Sequence, residues 1–426
     1  IKIKKTSTPK NPPEALKVGS DIKTIQEHLV KTDYIPIIDE ENNLVDFASR
    51  ARFHQIPLTQ PILNGNELEY ITDCINTGWI SSQGKYVNLF EKNFAEYTDG
   101  NNACAVSNGT VALHLALIAL GIKPGDEVIV TNQDHEANIS PWRRLKEVGA
   151  VIKEWKINTE TAELEIETFK SLLSDKTKIV AVTHCSNIVG TVNDLKKISD
   201  LAHEKNAIII GDGVSYAPHG FPDVKELGVD FYTFSLYKTY GPHLGLLYGK
   251  EDILKKLPNQ NHEFLEHSYP YTINPGGPNH EELCSLVGIY EYFESFYNHH
   301  FSDINKTLRD KVKKINELIS KHEEKIANPL LDYLNSRKDL KLIGQKKIKN
   351  KNRAPTITFH SNKISSKDLS DHLVKNRIAT RNDNFYAWRC LKALGIDDVD
   401  GVVRTSIVHY NSSEDIEKLI ESLEKI

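Results

Sequence analysis

The sequence predicts an α/β protein: a large domain on a mainly parallel, seven-stranded sheet, followed by a smaller α+β domain at the C-terminus. Three observations carry this. Between Ala103 and Tyr248, seven apolar runs of strand length appear, most of them separated by helical patterns, and such alternation favours parallel strands joined by crossover helices. After Asn279 a helical pattern runs to Tyr297 and, past an interruption at His299-His300, another runs from Ile304 to about Asn335, with no strand signal, as expected of a helix that leaves one domain and enters another. Beyond it, short strands and helices mix.

In chain order, residues 1–55 carry Pro-rich and charged segments with a helical pattern over Asp21–Lys31, and read as an extension or arm. Amphipathic helices follow over Gly65–Asn76 and Tyr86–Tyr97. The strand-like runs are Ala103–Val106, Glu127–Val130, Val151–Trp155, Lys178–Val182, Ala207–Ile210, Phe231–Phe234 and Leu244–Tyr248. Helical patterns lie over Thr110–Leu120, Ile139–Val148, Ile166–Leu173, Leu195–Lys205 and Val224–Leu227. In the last part, strands over Leu340–Leu342, Thr356–Phe359, Ile378–Thr380 and Val402–His409 alternate with helices over Lys367–Lys375, Tyr386–Leu394 and Ser413–Glu424. The expected division is an arm over 1–60, a large domain over 61–300 and a small domain over 301–426, linked by a helix over 301–335.

The 426 residues are 39% hydrophobic and 26% charged with a net charge of -5, the composition of a soluble globular protein. This weak acidity gives no general attraction to nucleic acid or acidic lipid, so a small-molecule ligand is expected. The basic run Gln345–Arg353 lies between two strands and reads as a solvated loop. Five scattered cysteines with no C-x-x-C spacing point to a reducing compartment and to no metal site. The basic N-terminus is followed by Thr6-Ser-Thr-Pro rather than an apolar stretch, unlike a signal peptide. The longest apolar run, Val111–Leu120, contains His114 and is too short to span a bilayer, so a cytoplasmic protein is expected.

Ligands of parallel sheets sit at the carboxyl ends of strands, and the polar residues there form a set. After the first strand Ser107-Asn-Gly-Thr opens a helix, where Gly109 permits close backbone approach and Thr110 adds a hydroxyl beside free amides. Taken alone, it reads as an ordinary helix start. After the second strand come Asp134, His135 and Asn138; after the fourth, His184 and Asn187. His135 suits a base or a plate under a flat ligand. Asp212 closes the fifth strand, where an unpaired carboxylate would be costly. Lys238 follows the sixth, between Ser235 and the Gly241-Pro242 turn. It could be a loop lysine; at the edge of a core, however, an ammonium tends to lose its proton and becomes an amine able to condense with a carbonyl. An amine for a Schiff base, a carboxylate for a pyridinium nitrogen and an anion-binding turn are together the needs of pyridoxal 5'-phosphate.

From about Pro124 onward the chain resembles the class V aminotransferases of fold type I, the group that includes cysteine desulfurases. The resemblance rests on Thr131–Trp142, Thr183–Thr191, Asp212–His219, Asp230–Gly245 and Val403–Asn411. The earlier part, Ile56–Pro61 through Gly78-Trp79, Gln83-Gly84 and Ser107–Asp126, looks like the nucleotide-sugar aminotransferases, which share fold and cofactor. The resemblance implies a fold type I, pyridoxal-phosphate-dependent transferase: an aminotransferase acting on a small amino acid or keto acid through a Lys238 Schiff base. A cysteine desulfurase-like C–S lyase and a nucleotide-sugar aminotransferase are its alternatives.

Carried over residue by residue, it implies that Lys238 anchors the cofactor and acts as general base. Asp212 pairs with the ring nitrogen, His135 stacks on the ring, Val214 presses on its face, and Asn187 and Ser215 reach its oxygen. Gly109, Thr110 and Ser235 hold the phosphate. Tyr237 stands where desulfurases often have a phosphate-binding histidine. The turn Asn274–His280, with Gly277, would reach the phosphate of a neighbouring subunit, which implies a homodimer with its site at the interface. Arg404 matches the arginine that grips an α-carboxylate, for which a planar fork is suited; the alternative is a structural ion pair. Arg381 and Tyr386 fall on the substrate side. Here the chain departs from desulfurases: five residues after Arg381 stands Tyr386 instead of the sulfur-accepting cysteine. Cys390, four residues on, lies in a helical pattern and reads as a core cysteine.

Overall fold

The computed structural model describes residues 14–20, 22–29, 32, 34–49, 66–77, 85–98, 103–106, 121–266, 271–273, 280–303 and 305–426. The chain forms two compact units, residues 1–60 with 371–380 and residues 61–370 with 381–426. In the first, β1 (Leu16–Lys17), β2 (Tyr34–Ile38) and β3 (Leu44–Ser49) make a three-stranded sheet in that order, with a helix over Ile22–Leu29. The sequence pattern shows the helix but hides the sheet. Pro36 sits in its central strand, opposite Phe47, and a proline in a short apolar run argues against a paired strand.

The second unit is built on β4 (Ala103–Val106), β5 (Glu127–Thr131), β6 (Val151–Trp155), β7 (Thr177–Thr183), β8 (Ile208–Asp212), β9 (Phe231–Ser235) and β10 (Gly245–Gly249). They lie in the order β4-β10-β9-β8-β7-β5-β6, all parallel except β10, which runs antiparallel to both its neighbours. All seven runs expected from the sequence join this one sheet. Its strands are apolar on both faces because both are covered. Ile129, Val180, Val182, Ile209 and Phe234 face one core with Trp155 and Phe169. Val128, Val130, Ile179, Ala181 and Ile210 face another with Trp142. This alternation is the two-residue period of a strand.

The helical stretch becomes helices over His280–Ser285, Val287–His300 and Leu308–Ser336. Beyond it, β11 (Leu340–Leu342), β12 (Thr356–Ser361), β13 (Arg381–Asp383) and β14 (Val402–Ser406) form an antiparallel sheet ordered β11-β12-β14-β13. Two strands differ from the sequence reading: the expected Val402–His409 ends at Ser406, and the expected Ile378–Thr380 is not a strand. Ile378 closes the cap that follows the helix Ser366–Lys375 rather than forming a strand: Arg377 takes a left-handed φ of 63°, and the Ile378 amide donates back to Leu373 O at 2.9 Å. The pairing strand starts three residues later, with Arg381 opposite Arg404. The expected helix over Thr110–Leu120 lies outside the described residues.

Candidate active site

Four adjacent strands, β9, β8, β7 and β5, deliver their carboxyl ends side by side. Register brings them level: Thr183 of β7 lies opposite Asp212 of β8, which lies opposite Thr233 of β9. The chain then leaves each strand tied to its neighbour, His184 N–H donating to Asp212 O at 2.7 Å and Gly213 N–H to Thr233 O at 2.8 Å. Gly213 has a steric reason to be glycine, since a Cβ there would stand 2.1 Å from the Tyr232 hydroxyl. That hydroxyl lies 2.8 Å from His184 Nδ1, and the His184 ring stacks on Tyr216 with centroids 3.7 Å apart. Burial pushes His184 down to about 3, so it is a neutral wall.

Asp212 is buried at the end of β8, one oxygen accepting the Val214 amide at 2.9 Å. Burial raises its pKa; the Val214 amide and the Lys238 charge pull it back. Val214 and Ser215 follow, half-buried. Lys238 sits in the short turn after β9, and burial and then the Arg404 charge lower its pKa, against the pull of Asp212. Ser235 is buried at the strand's end. His135 is held down to about 4 by burial and by the charges of Lys238 and Arg404. Its Nδ1 accepts the Ala137 amide at 3.1 Å, which leaves the ring neutral and fixed.

Arg404, from the middle of β14, reaches this cluster. Its Nη1 donates to Asn187 O at 3.1 Å, and its guanidinium lies 3.9 Å from the Phe385 ring centroid. Burial and the neighbouring Arg381 lower it to about 10. The attracting carboxylate, Asp383, is already paired with Arg381. The Asn187 amide donates to Phe385 O at 2.8 Å, while its own Oδ1 is buried and without a hydrogen-bond partner. A buried orphan acceptor is costly unless a ligand donor meets it.

Lys238, Asp212, His135, Asn187 and Arg404 are therefore brought together, with Val214, Ser215 and Ser235 beside them. Tyr386 lies over His135 with ring centroids 5.2 Å apart, yet is 65% exposed. Arg381 is exposed and bonded to Asp383. Tyr237 is exposed and stacked on His243 with centroids 4.4 Å apart. Gly109, Thr110 and Gly277 lie outside the described residues. Cys390 is fully buried, its thiol pushed up to about 12. Cys74, Cys185 and Cys284 are buried as well. No metal-binding group of side chains exists among the described residues, and no described helix is long and apolar enough to cross a membrane.

Two contacts had no signal in the sequence. Arg389 forks onto Glu136, its Nε 3.1 Å from Oε2, across 253 positions. Phe385 lies beneath Arg404, at a left-handed φ of 50°. With the Glu136 amide donating to Tyr386 O at 2.7 Å, these contacts pin the 385–389 segment against the His135 turn.

A family model described as Aminotransferase class-V matches residues 91–315 and 312–419. The chain is 37% identical over 313 residues to an aminotransferase-like protein of Gibberella zeae, covering 72% of this chain and 74% of that one. It is 32% identical over 331 residues to a probable cysteine desulfurase of Halalkalibacterium halodurans, covering 74% and 75%. Its fold matches the apo cysteine desulfurase of Thermococcus onnurineus with a TM-score of 0.71 at 21% identity, covering 84% and 90%.

Proposed function

The chain belongs to the class-V aminotransferase family, whose cofactor is pyridoxal 5'-phosphate, and on that premise we propose that it acts on the amino group of a small amino acid, cleaving a carbon–sulfur bond at the β-carbon without a protein thiol. The observation that carries the amino-acid substrate is Arg404: a guanidinium in a partly buried site, free of any carboxylate partner among the described residues and beside a desolvated lysine. Such a cation lacks its anion, and an α-carboxylate supplies one in bidentate form. The desulfurase names of relatives support C–S cleavage.

The residues fit the cofactor. Lys238 would hold its carbonyl carbon, Asp212 would keep the proton on its ring nitrogen, and the orphan Oδ1 of Asn187 would meet its ring hydroxyl. His135 would cover one face of the ring and Val214 the other. Ser215 would reach the ring oxygen beside Asn187, and Ser235 would bind the phosphate with Gly109 and Thr110. When bound, the cofactor supplies an electron sink for the pair left on the α-carbon. Arg404 orients the substrate by its carboxylate. Lys238, whose charged form burial disfavours, would take the α-proton as general base. The β-carbon–sulfur bond then breaks with its pair going to sulfur, which takes a proton and leaves as sulfide. With cysteine and water the balanced products are pyruvate, ammonia and hydrogen sulfide. Tyr386, where desulfurases carry a thiol, closes the site over His135, and Arg381 lies on the substrate side. The division into an arm over 1–60, a cofactor domain over 61–300 and a small domain over 301–426 belongs to the same reading, as does a homodimer.

Transamination is the second reading. It is favoured by the burial of Cys74, Cys185, Cys284 and Cys390, since a desulfurase needs an exposed, acidic thiol. Incubation with L-cysteine separates the two. Sulfide with pyruvate supports cleavage; alanine formed from pyruvate at the expense of another amino acid's amine, with no sulfide, overturns it in favour of transamination. Loaded protein is expected to be yellow, and Lys238→Ala to lose the visible band of the lysine-linked cofactor.

A further inference from the structure

Behind the cluster of strand ends lies a group of hydrogen-bonded rings that the proposed reaction does not use. Tyr240 stands two residues after Lys238 at a left-handed φ of 66°. Its hydroxyl donates to Pro218 O at 2.6 Å, in the segment that follows Asp212, and lies 3.2 Å from His409 Nδ1. His409 stands five residues after Arg404, beyond the end of β14. Its other nitrogen, Nε2, is bonded to the hydroxyl of Tyr292, from the helix Val287–His300. Phe296 of the same helix stacks on the imidazole with centroids 5.6 Å apart.

The pattern of donors fixes the ring's state. Tyr240 has one hydroxyl proton, and the shorter bond shows it given to Pro218 O. Its contact with His409 therefore runs from Nδ1–H to the tyrosine oxygen. Nε2 is left as an acceptor, and Tyr292 donates to it. Burial and the charges of His219 and His322 press His409 down to about 4, in agreement with this neutral tautomer. Glu323, at 3.1 Å from His219 Nδ1, is the acidic group on the neighbouring long helix. All donors and acceptors of the hub are thereby satisfied in one arrangement, which is what makes a polar network rigid.

Resting on the reading above, we infer that His409 is a positioning residue: through Tyr240 it clamps the turn carrying Lys238 and the segment carrying Asp212 to the end of the strand carrying Arg404. The three groups proposed to touch cofactor and substrate come from three strands, two of them consecutive and the third, carrying Arg404, far along the chain. Each is followed within a few residues by a member of this hub. A loss of about 1 Å in their alignment would weaken both cofactor binding and turnover.

The test is a double-mutant cycle on the full chain loaded with pyridoxal 5'-phosphate, using His409→Phe, which keeps the ring stacking, and Tyr240→Phe, which removes one oxygen. The readouts are the dissociation constant of the cofactor and the pH midpoint of its visible band, with circular dichroism as the check of folding. Each single variant is expected to weaken cofactor binding about tenfold and to move the midpoint. The double variant should fall well short of the product of the singles, because the Tyr240–His409 bond is lost in all three, while each single also loses one bond of its own, to Pro218 or to Tyr292. Single variants within twofold of wild type, or effects that multiply in the double variant, overturn the inference while a yellow wild type keeps the cofactor reading. A colourless wild type that pyridoxal phosphate does not reconstitute overturns both. If His409→Phe fails to fold, His409→Asn keeps a donor toward Tyr240 and should bind the cofactor within threefold of wild type; a tenfold loss in that variant overturns the inference.

Discussion

Replacing Arg404 with alanine should separate function from stability in an unusual direction. The guanidinium donates to Asn187 O at 3.1 Å and packs 3.9 Å from the Phe385 ring centroid, with its one attracting carboxylate, Asp383, bonded to Arg381. Truncating one partner of a buried, charge-assisted pair costs about 2–5 kcal/mol, so kcat/KM should fall by roughly 30-fold to a few thousand-fold. Stability responds differently. The lost hydrogen bond and packing destabilise, whereas removal of an uncompensated, partly buried cation stabilises, and the two oppose each other. The net change should stay within about 1 kcal/mol. Arg404→Lys keeps the charge but loses the fork, and should fall between alanine and wild type. The assay is sulfide release from L-cysteine, or amine exchange if that is the reaction, beside thermal unfolding of the apo protein. Full activity in Arg404→Ala, within threefold of wild type, would refute the reasoning; so would unfolding of the variant, which would make Arg404 a structural residue.

Three further outcomes follow from single contacts. Gly213→Ala places a methyl group 2.1 Å from the Tyr232 hydroxyl, so it should destabilise by about 1–3 kcal/mol and weaken cofactor binding by shifting the Asp212 turn; denaturant unfolding and cofactor titration check both. Cys390→Ala should leave activity within twofold and cost about 1–2 kcal/mol, and the wild-type thiol should resist alkylation until the protein unfolds, because it is fully buried with its pKa pushed to about 12. Asp134 is buried and raised to about 8 by burial first, against hydrogen bonds from Thr131 and Asn138. The folded state thus binds the proton more tightly than the unfolded chain, and this contribution to stability is full below pH 4 and is lost as pH rises to about 8. Asp134→Asn should flatten the stability profile over that window by up to about 1.4 kcal/mol per pH unit, as measured by urea unfolding at successive pH values.

Most of the large sheet was legible in the sequence because periodicity is local. Each run such as Val128–Val130 or Ile208–Ile210 is apolar enough to be buried on both faces, and each ends in a polar residue with no place in a core. That sufficed to mark His135, Asn187, Asp212 and Lys238 as a set. The three-stranded sheet of the first unit was hidden by Pro36, and β13 was displaced by the helix end at Arg377, where capping competed with an apolar residue for the strand assignment. By itself, then, the sequence determined the order of strands and helices in the large sheet, the chemistry of the strand ends and the lack of a thiol at Tyr386. The tertiary structure decided what those residues meet: Phe385 beneath Arg404, Arg389 on Glu136 across 253 positions, and His409 between Tyr240 and Tyr292. Hydrogen-bond partners so distant along the chain leave no periodic trace, since only closure of the whole fold brings their atoms within 3 Å or so of each other.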